Sequence, residues 1–223
     1  VTLATSLPLA GLSVTGGLAH AQLTIATQSD TAQVQLFRAP SGGTLDVDTD
    51  AAGAPISVVP SSTVQIVDGD QTRSNLLTAD NMTGWAAGTG WSVAAGVASH
   101  TAGDTDALTQ SLSLADATVV RARVVIANRT AGSVALRLAG DTPATGVSLT
   151  DNGGQLVELT AASAVTAVEI VPSTDFDGDI EEVVLYAQSS SSAPQGAWDY
   201  YVAPVNADGI ANAPTGPLAV TIV

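Results

Sequence analysis

The sequence predicts an all-β protein built as two β-sandwiches, one inserted into a loop of the other. Three observations carry this expectation. No stretch keeps apolar residues at i, i+3, i+4 and i+7 between helix caps, so helices are not expected. Val, Thr, Ile and Leu instead fall in short alternating runs broken by Gly, Pro, Asp and Asn, which is the period of half-buried strands. Two composition breaks, at 68–81 and at the Ser-rich "AQSSSSAPQGAW" (187–198), fence off a central block of ordinary domain size.

The strands follow in order. "HAQLTIAT" (20–27) and "TAQVQLFRAP" (31–40) are two strands joined by "QSD". "STVQIVDGD" (62–70) is another, closed by an Asp-Gly turn. In 117–129, Val120, Ala122, Val124 and Ile126 alternate with Arg121 and Arg123. In 132–141, Val134, Leu136 and Leu138 alternate with Ala135 and Arg137. Strands at 153–161, 164–173 and 180–188 complete an antiparallel run with the spacing of a sandwich. Residues 1–70 offer about four strands and 195–223 offer two, "AWDYYVAPVN" and "GPLAVTIV". Neither piece closes a sandwich alone. Together they do, so the economical arrangement is one domain (1–72 with 190–223) interrupted by another (73–189).

Composition narrows the function classes. Six basic residues face 21 acidic ones, a net charge of -15, and this disfavours binding to nucleic acid or to an anionic bilayer. No apolar run approaches the roughly 20 residues of a membrane span. There is no cysteine, so disulfides, thiolate metal sites and cysteine nucleophiles are excluded. Aromatic residues make up 4%, so the cores must be built from many small Ala, Val and Leu contacts. The opening "VTLATSLPLAGL" has no basic n-region and is expected to be a processed start or a piece of a longer polypeptide.

Residues 197–223, "AWDYYVAPVNADGIANAPTGPLAVTIV", resemble the last two strands of a fibronectin type III domain, with Trp198, Tyr200 and Val202 alternating inward. "LTIATQSDTAQVQLFRAPSGG" looks like that family's second and third strands, while the middle strands of 41–70 are hard to place. The central block resembles a carbohydrate-binding-module-like jelly roll. Its opening "NLLTADNMTGWAAGTGWSVAAG", its two Gly-Trp pairs and its closing "IEEVVLY" carry the likeness. A type III domain carrying such an insert is similar to assemblies in the tail tips, baseplates and fibres of long-tailed bacteriophages and gene transfer agents. The lysine-free, Ala/Gly/Thr/Asp-rich texture suits a high-GC host.

Candidate sites follow. Sugar-binding modules stack pyranose rings on exposed aromatics, which points to Trp85, Trp91 and Tyr186; the competing role for the two tryptophans is core anchor. A polar groove from Asn81, Asn128, Arg121 and Arg123 is the alternative glycan surface. "DFDGDIEEVVLY" (175–186) places Asp175, Asp177, Asp179, Glu181 and Glu182 around Gly178. Calcium takes six to eight oxygens, and such a run could chelate it, although the EF-hand register is missing. The jelly-roll resemblance implies a structural calcium held at the start of the last strand, where Glu181 or Glu182 stands in place of the more usual Asp. The competing reading is a solvated acidic turn that opens a strand.

Catalysis is not expected. The acids have no aromatic subsite beside them, and a glycosidase needs two carboxylates roughly 5–9.5 Å apart across a cleft. His20 and His100 lie in different predicted domains, and neither has a triad partner nearby. The resemblance therefore implies a non-enzymatic virion tail component, contacting other tail or baseplate proteins and host cell-surface polysaccharide, with no cofactor beyond a structural calcium. The alternatives are a secreted bacterial carbohydrate-binding module pair attached to a polysaccharide-degrading enzyme, and a ligand-free spacer.

Overall fold

A computed structural model describes residues 7–223. The protein is all-β, with no helix among the described residues. In chain order the strands are β1 (Gly11–Gly16), β2 (His20–Ala26), β3 (Gln33–Pro40), β4 (Ile56–Ser57), β5 (Thr63–Gly69), β6 (Trp91–Ala94), β7 (Val97–His100), β8 (Leu108–Leu114), β9 (Val119–Ala131), β10 (Val134–Gly140), β11 (Ala144–Thr145), β12 (Gly153–Thr160), β13 (Val165–Pro172), β14 (Asp177–Ala187), β15 (Gly196–Val205) and β16 (Thr215–Ile222). The chain divides into two compact units. The first takes the chain up to Gln71 and again from Ser191; the second is Thr72–Ser190. Both crossings lie within or beside the two composition breaks.

The first unit has two antiparallel sheets, ordered β1-β2-β5 and β16-β15-β3-β4. Alternation decides which side chains meet. Ala21, Leu23, Ile25 and Ile66 from one sheet share a buried cluster with Val34, Leu36, Tyr200, Val202 and Ile222 from the other. Because β2 pairs with β1 and β5 while β3 pairs with β15 and β4, "QSD" is a crossing between sheets and not a hairpin turn. Between β3 and β5 only the two-residue β4 forms, so the sequence there shows no alternation to read.

Asp68, near the end of β5, accepts a hydrogen bond from the Tyr200 hydroxyl at 2.5 Å and an ion pair from Arg38. Tyr200 is fully buried on β15, so its hydroxyl depends on Asp68. Burial raises the Tyr200 pKa, and the hydrogen bond and negative charge of Asp68 raise it further, against Arg38. The two strands flanking the second unit in sequence are thus tied to each other by side chains as well as by a shared core.

The second unit has a four-stranded sheet, β11-β10-β13-β8, and a five-stranded sheet, β12-β9-β14-β7-β6. Its single core joins Val120, Ala122, Val124, Ile126, Ile180, Val183 and Leu185 of the larger sheet to Leu136, Leu138, Val168 and Ile170 of the smaller. The inward set of β9 is the alternating set read from sequence. The β6–β7 hairpin, β8 and β11 are not in that reading. Ser and Ala dilute the alternation in the first two, and β11 is two residues long.

Chain entry and exit share one end of this unit: the Arg73 guanidinium donates to the Ala187 carbonyl at 3.5 Å, and Leu76 N–H to Leu185 O at 2.8 Å. The opposite end lies the length of β14 away, roughly 35 Å at ~3.3 Å per residue. Pairings of Gly178 with His100, Gly153 with Ile126 and Asp177 with Ala131 bring the β7–β8, β11–β12, β9–β10 and β13–β14 connections to that far end.

Candidate functional site

The far end of the second unit gathers Trp91, His100, Asn128, Asp175, Asp177 and Asp179, whereas Tyr186 and Arg121 pair towards the end where the chain enters and leaves. Trp91 opens β6 there, and its indole N–H donates to the Asp106 carbonyl at 2.8 Å. Its ring packs against His100 with centroids 4.6 Å apart and against Phe176 at 5.9 Å. Such tilted arrangements place ring edges on ring faces. His100 is 2% exposed. Its Nδ1–H donates to Phe176 O at 2.8 Å, because a carbonyl can only accept, and this leaves Nε2 as a buried atom without a hydrogen-bond partner. Gly132 makes the tight return from β9 to β10 possible. Its φ is +69°, and a Cβ there would sit 2.3 Å from Phe176 N.

The three aromatic candidates are placed inside. Trp85 is 6% exposed and Trp91 8%, both in the core of the second unit. Tyr186 is 0% exposed, on the face of β14 opposite Val183 and Leu185 and in register with Arg121. No broad ring face among them is presented to solvent, so in this structure they form no stacking platform. The scarcity of other large side chains explains the two tryptophans: a core rich in Ala and Val needs their rings for volume.

The polar alternative is dispersed as well. Arg121 pairs with Glu158 at 2.9 Å and Arg123 with Glu182. Asn128 donates to Asp179 at 2.7 Å, and Asn81 accepts from Thr83 N–H at 3.0 Å.

The acidic run differs from the expected turn. β14 begins at Asp177, so Asp177 and Asp179 are already strand residues. The reason lies across the strand: Thr130 donates to Asp177 at 3.0 Å and Asn128 to Asp179, so β9 supplies partners for the acids. Asp175 accepts from the Ser173 hydroxyl at 2.8 Å, Glu182 is held by Arg123, and Glu181 is exposed. Register shifts between Asp177 and Asp179 and between Ile180 and Glu182 further break the alignment of the series. Among the described residues no three His, Cys, Asp or Glu are grouped to hold a metal ion. The five carboxylates therefore do not fit one calcium coordination shell, which asks for converging oxygens. Nearby, hydrogen bonds from the Thr89 side chain and backbone lower the Asp106 pKa.

Neither imidazole is part of a triad arrangement. His20 Nδ1 lies 2.8 Å from Leu18 O and His100 Nδ1 the same distance from Phe176 O. Two shallow surface depressions are lined by small and polar side chains. One runs along Ala117, Thr118, Val119 and 188–190, the other along Ala10, Ala26, Thr27, Gln28 and 61–63. Neither contains an ionisable or aromatic group. No protein-family model matches the chain, and no curated protein matches it.

Proposed function

We propose that this chain is a non-enzymatic structural component of a bacteriophage or phage-like particle, acting in the tail tip, baseplate or fibre. The carrying observation is the strand order of the first unit. A three-stranded β1-β2-β5 sheet shares a core with a four-stranded β16-β15-β3-β4 sheet, which supports reading the first unit as fibronectin type III-like, with the second unit entering between β5 and β15. The two-sheet second unit is read as the inserted jelly roll. Its entry and exit lie at one end, so it suits a module carried outward on a scaffold that docks to other tail proteins.

Three features support a structural role over catalysis. The carboxylates are engaged one by one with neighbours, the imidazoles use Nδ1 on backbone carbonyls, and the depressions lack ionisable groups. The far end of the second unit is strongly acidic, with Asp104, Asp106, Asp151, Asp175, Asp177 and Asp179 against Arg129. A host glycan contacted there would be neutral, since acidic polysaccharide is repelled. Mass spectrometry of purified particles tests the reading. Recovery of the chain in stoichiometric amounts with tail proteins is expected. Its absence from particles, together with recovery on a polysaccharide matrix beside a hydrolase, would favour a secreted binding-module pair.

A further inference from the structure

Sheet edges expose unpaired N–H and C=O groups, and stable proteins blunt them with short strands, bulges, charges or cover. Most edges here are treated this way. β4 and β11 are two residues long and β6 is four. β8 meets a register shift opposite Val165–Ala167, and Thr109 on it is bridged to Ala86 by two backbone hydrogen bonds. β12 carries Glu158 and a Gly pair. β1 lies beside β16: a Cβ on Gly16 would fall 2.0 Å from Thr221 O, and Ala19 N–H donates to Val223 O.

β5 is the exception. It pairs with β2 in unbroken register over seven residues, without proline or bulge. Its one charged side chain, Asp68, turns to Arg38 and Tyr200. Hydrogen bonds from Thr27 N to Ser62 O and from Asp70 N to Ala19 O fix the parity of the ladder. Even-numbered residues of β5 therefore bond to β2, and Thr63, Gln65 and Val67 direct their backbone groups outward. Among the described residues no hydrogen bond reaches those groups.

We propose that this edge is an interface, and that its occupant is β5 of a second copy of the chain, running antiparallel. The edge is self-complementary about Gln65. A two-fold axis there sets Gln65 opposite Gln65 and Thr63 opposite Val67, and each is a pair whose backbone groups point across the seam. The same axis sets Val64 opposite Ile66. Both face the core of the first unit, so the two cores join beneath a continuous six-stranded sheet. The segment 63–67 is uncharged, which matters in a chain of net charge -15: it is a stretch where two copies approach without placing carboxylates face to face.

Analytical ultracentrifugation of the 223-residue chain at physiological ionic strength tests this. The mass is expected to rise from one chain towards two with concentration, with slowed amide exchange at Thr63, Gln65 and Val67 in the dimer. Gln65→Pro deletes one outward N–H, no backbone bond to β2 and only the exposed 3.3 Å side-chain bond from Gln22, so it should leave the monomer folded and abolish the dimer. Gln65→Lys, which keeps the backbone intact and places two cations opposite each other, should do the same. A wild-type chain that stays monomeric over the whole range overturns the proposal. So does a dimer that persists in both variants.

Discussion

Asp68→Ala is the perturbation that most directly probes how the interrupted unit holds together. It removes the acceptor of the buried Tyr200 hydroxyl and the partner of Arg38. An unsatisfied buried hydroxyl costs about 1–3 kcal/mol. The Arg38–Asp68 side chains are 21% and 16% exposed, so the pair lies between the ~0–1 kcal/mol of a surface ion pair and the ~3–5 kcal/mol lost on breaking a buried one. The expected loss is about 2–4 kcal/mol, or on the order of 10–20 °C in the melting point of a domain of this size. Tyr200→Phe removes only the hydroxyl and leaves Asp68 with Arg38, at a cost of about 1 kcal/mol. Native-state hydrogen exchange resolves the two units: the slowest amides of β2 and β15 should lose protection, and those of β9 and β13 should not. The double variant should show a coupling above ~0.5 kcal/mol. A loss below that value in Asp68→Ala, or one spread equally over β9 and β13, would show that the Asp68 contacts do not hold the interrupted unit together.

Other outcomes follow from the same structure. Tyr200 has a raised pKa, so its contribution is complete below the unfolded value of about 10 and is lost as pH rises through the higher folded value. Urea midpoints of the wild type should therefore fall with pH above about 10, and those of Tyr200→Phe should fall less; equal slopes would contradict this. Excess EDTA or added calcium should leave the melting midpoint unchanged, because the carboxylates of 175–182 do not converge; a rise of several degrees with calcium would show that they do. Trp91→Ala should cost about 3–5 kcal/mol in the second unit, as the loss of a buried ring packed on His100 and Phe176 does, while Trp91→Phe should leave any glycan-array signal unaltered.

Much of the fold was legible because burial is two-sided and regular in the long strands. In β9 the inward Val120–Ile126 set and the outward arginines are written as alternation, and β15 shows the same in Tyr200 and Val202. What stayed hidden lacked that contrast. Ser and Ala in 91–100 give no apolar phase, and Gln110 faces the interior of β8, where alternation predicts an apolar residue. The site was harder to read than the fold. Five carboxylates in eight positions suggest convergence, yet Asp175, Asp177, Asp179 and Glu182 each engage a different neighbour, and two register shifts break the same-face spacing that alternation alone would give 177, 179 and 181. Nor does sequence tell whether a tryptophan fills a core or lines a surface. That depends on how much other volume the core contains, and here it contains little. The Asp68–Tyr200 bond was invisible for a different reason: its partners lie 132 positions apart, across the second unit.

Immunogold electron microscopy with an antibody raised against the second unit tests whether the chain is a tail component. Gold at the distal end of the tail on intact particles is the outcome expected from the proposed role. Particles free of label, with the antigen confined to the soluble secreted fraction, would contradict it.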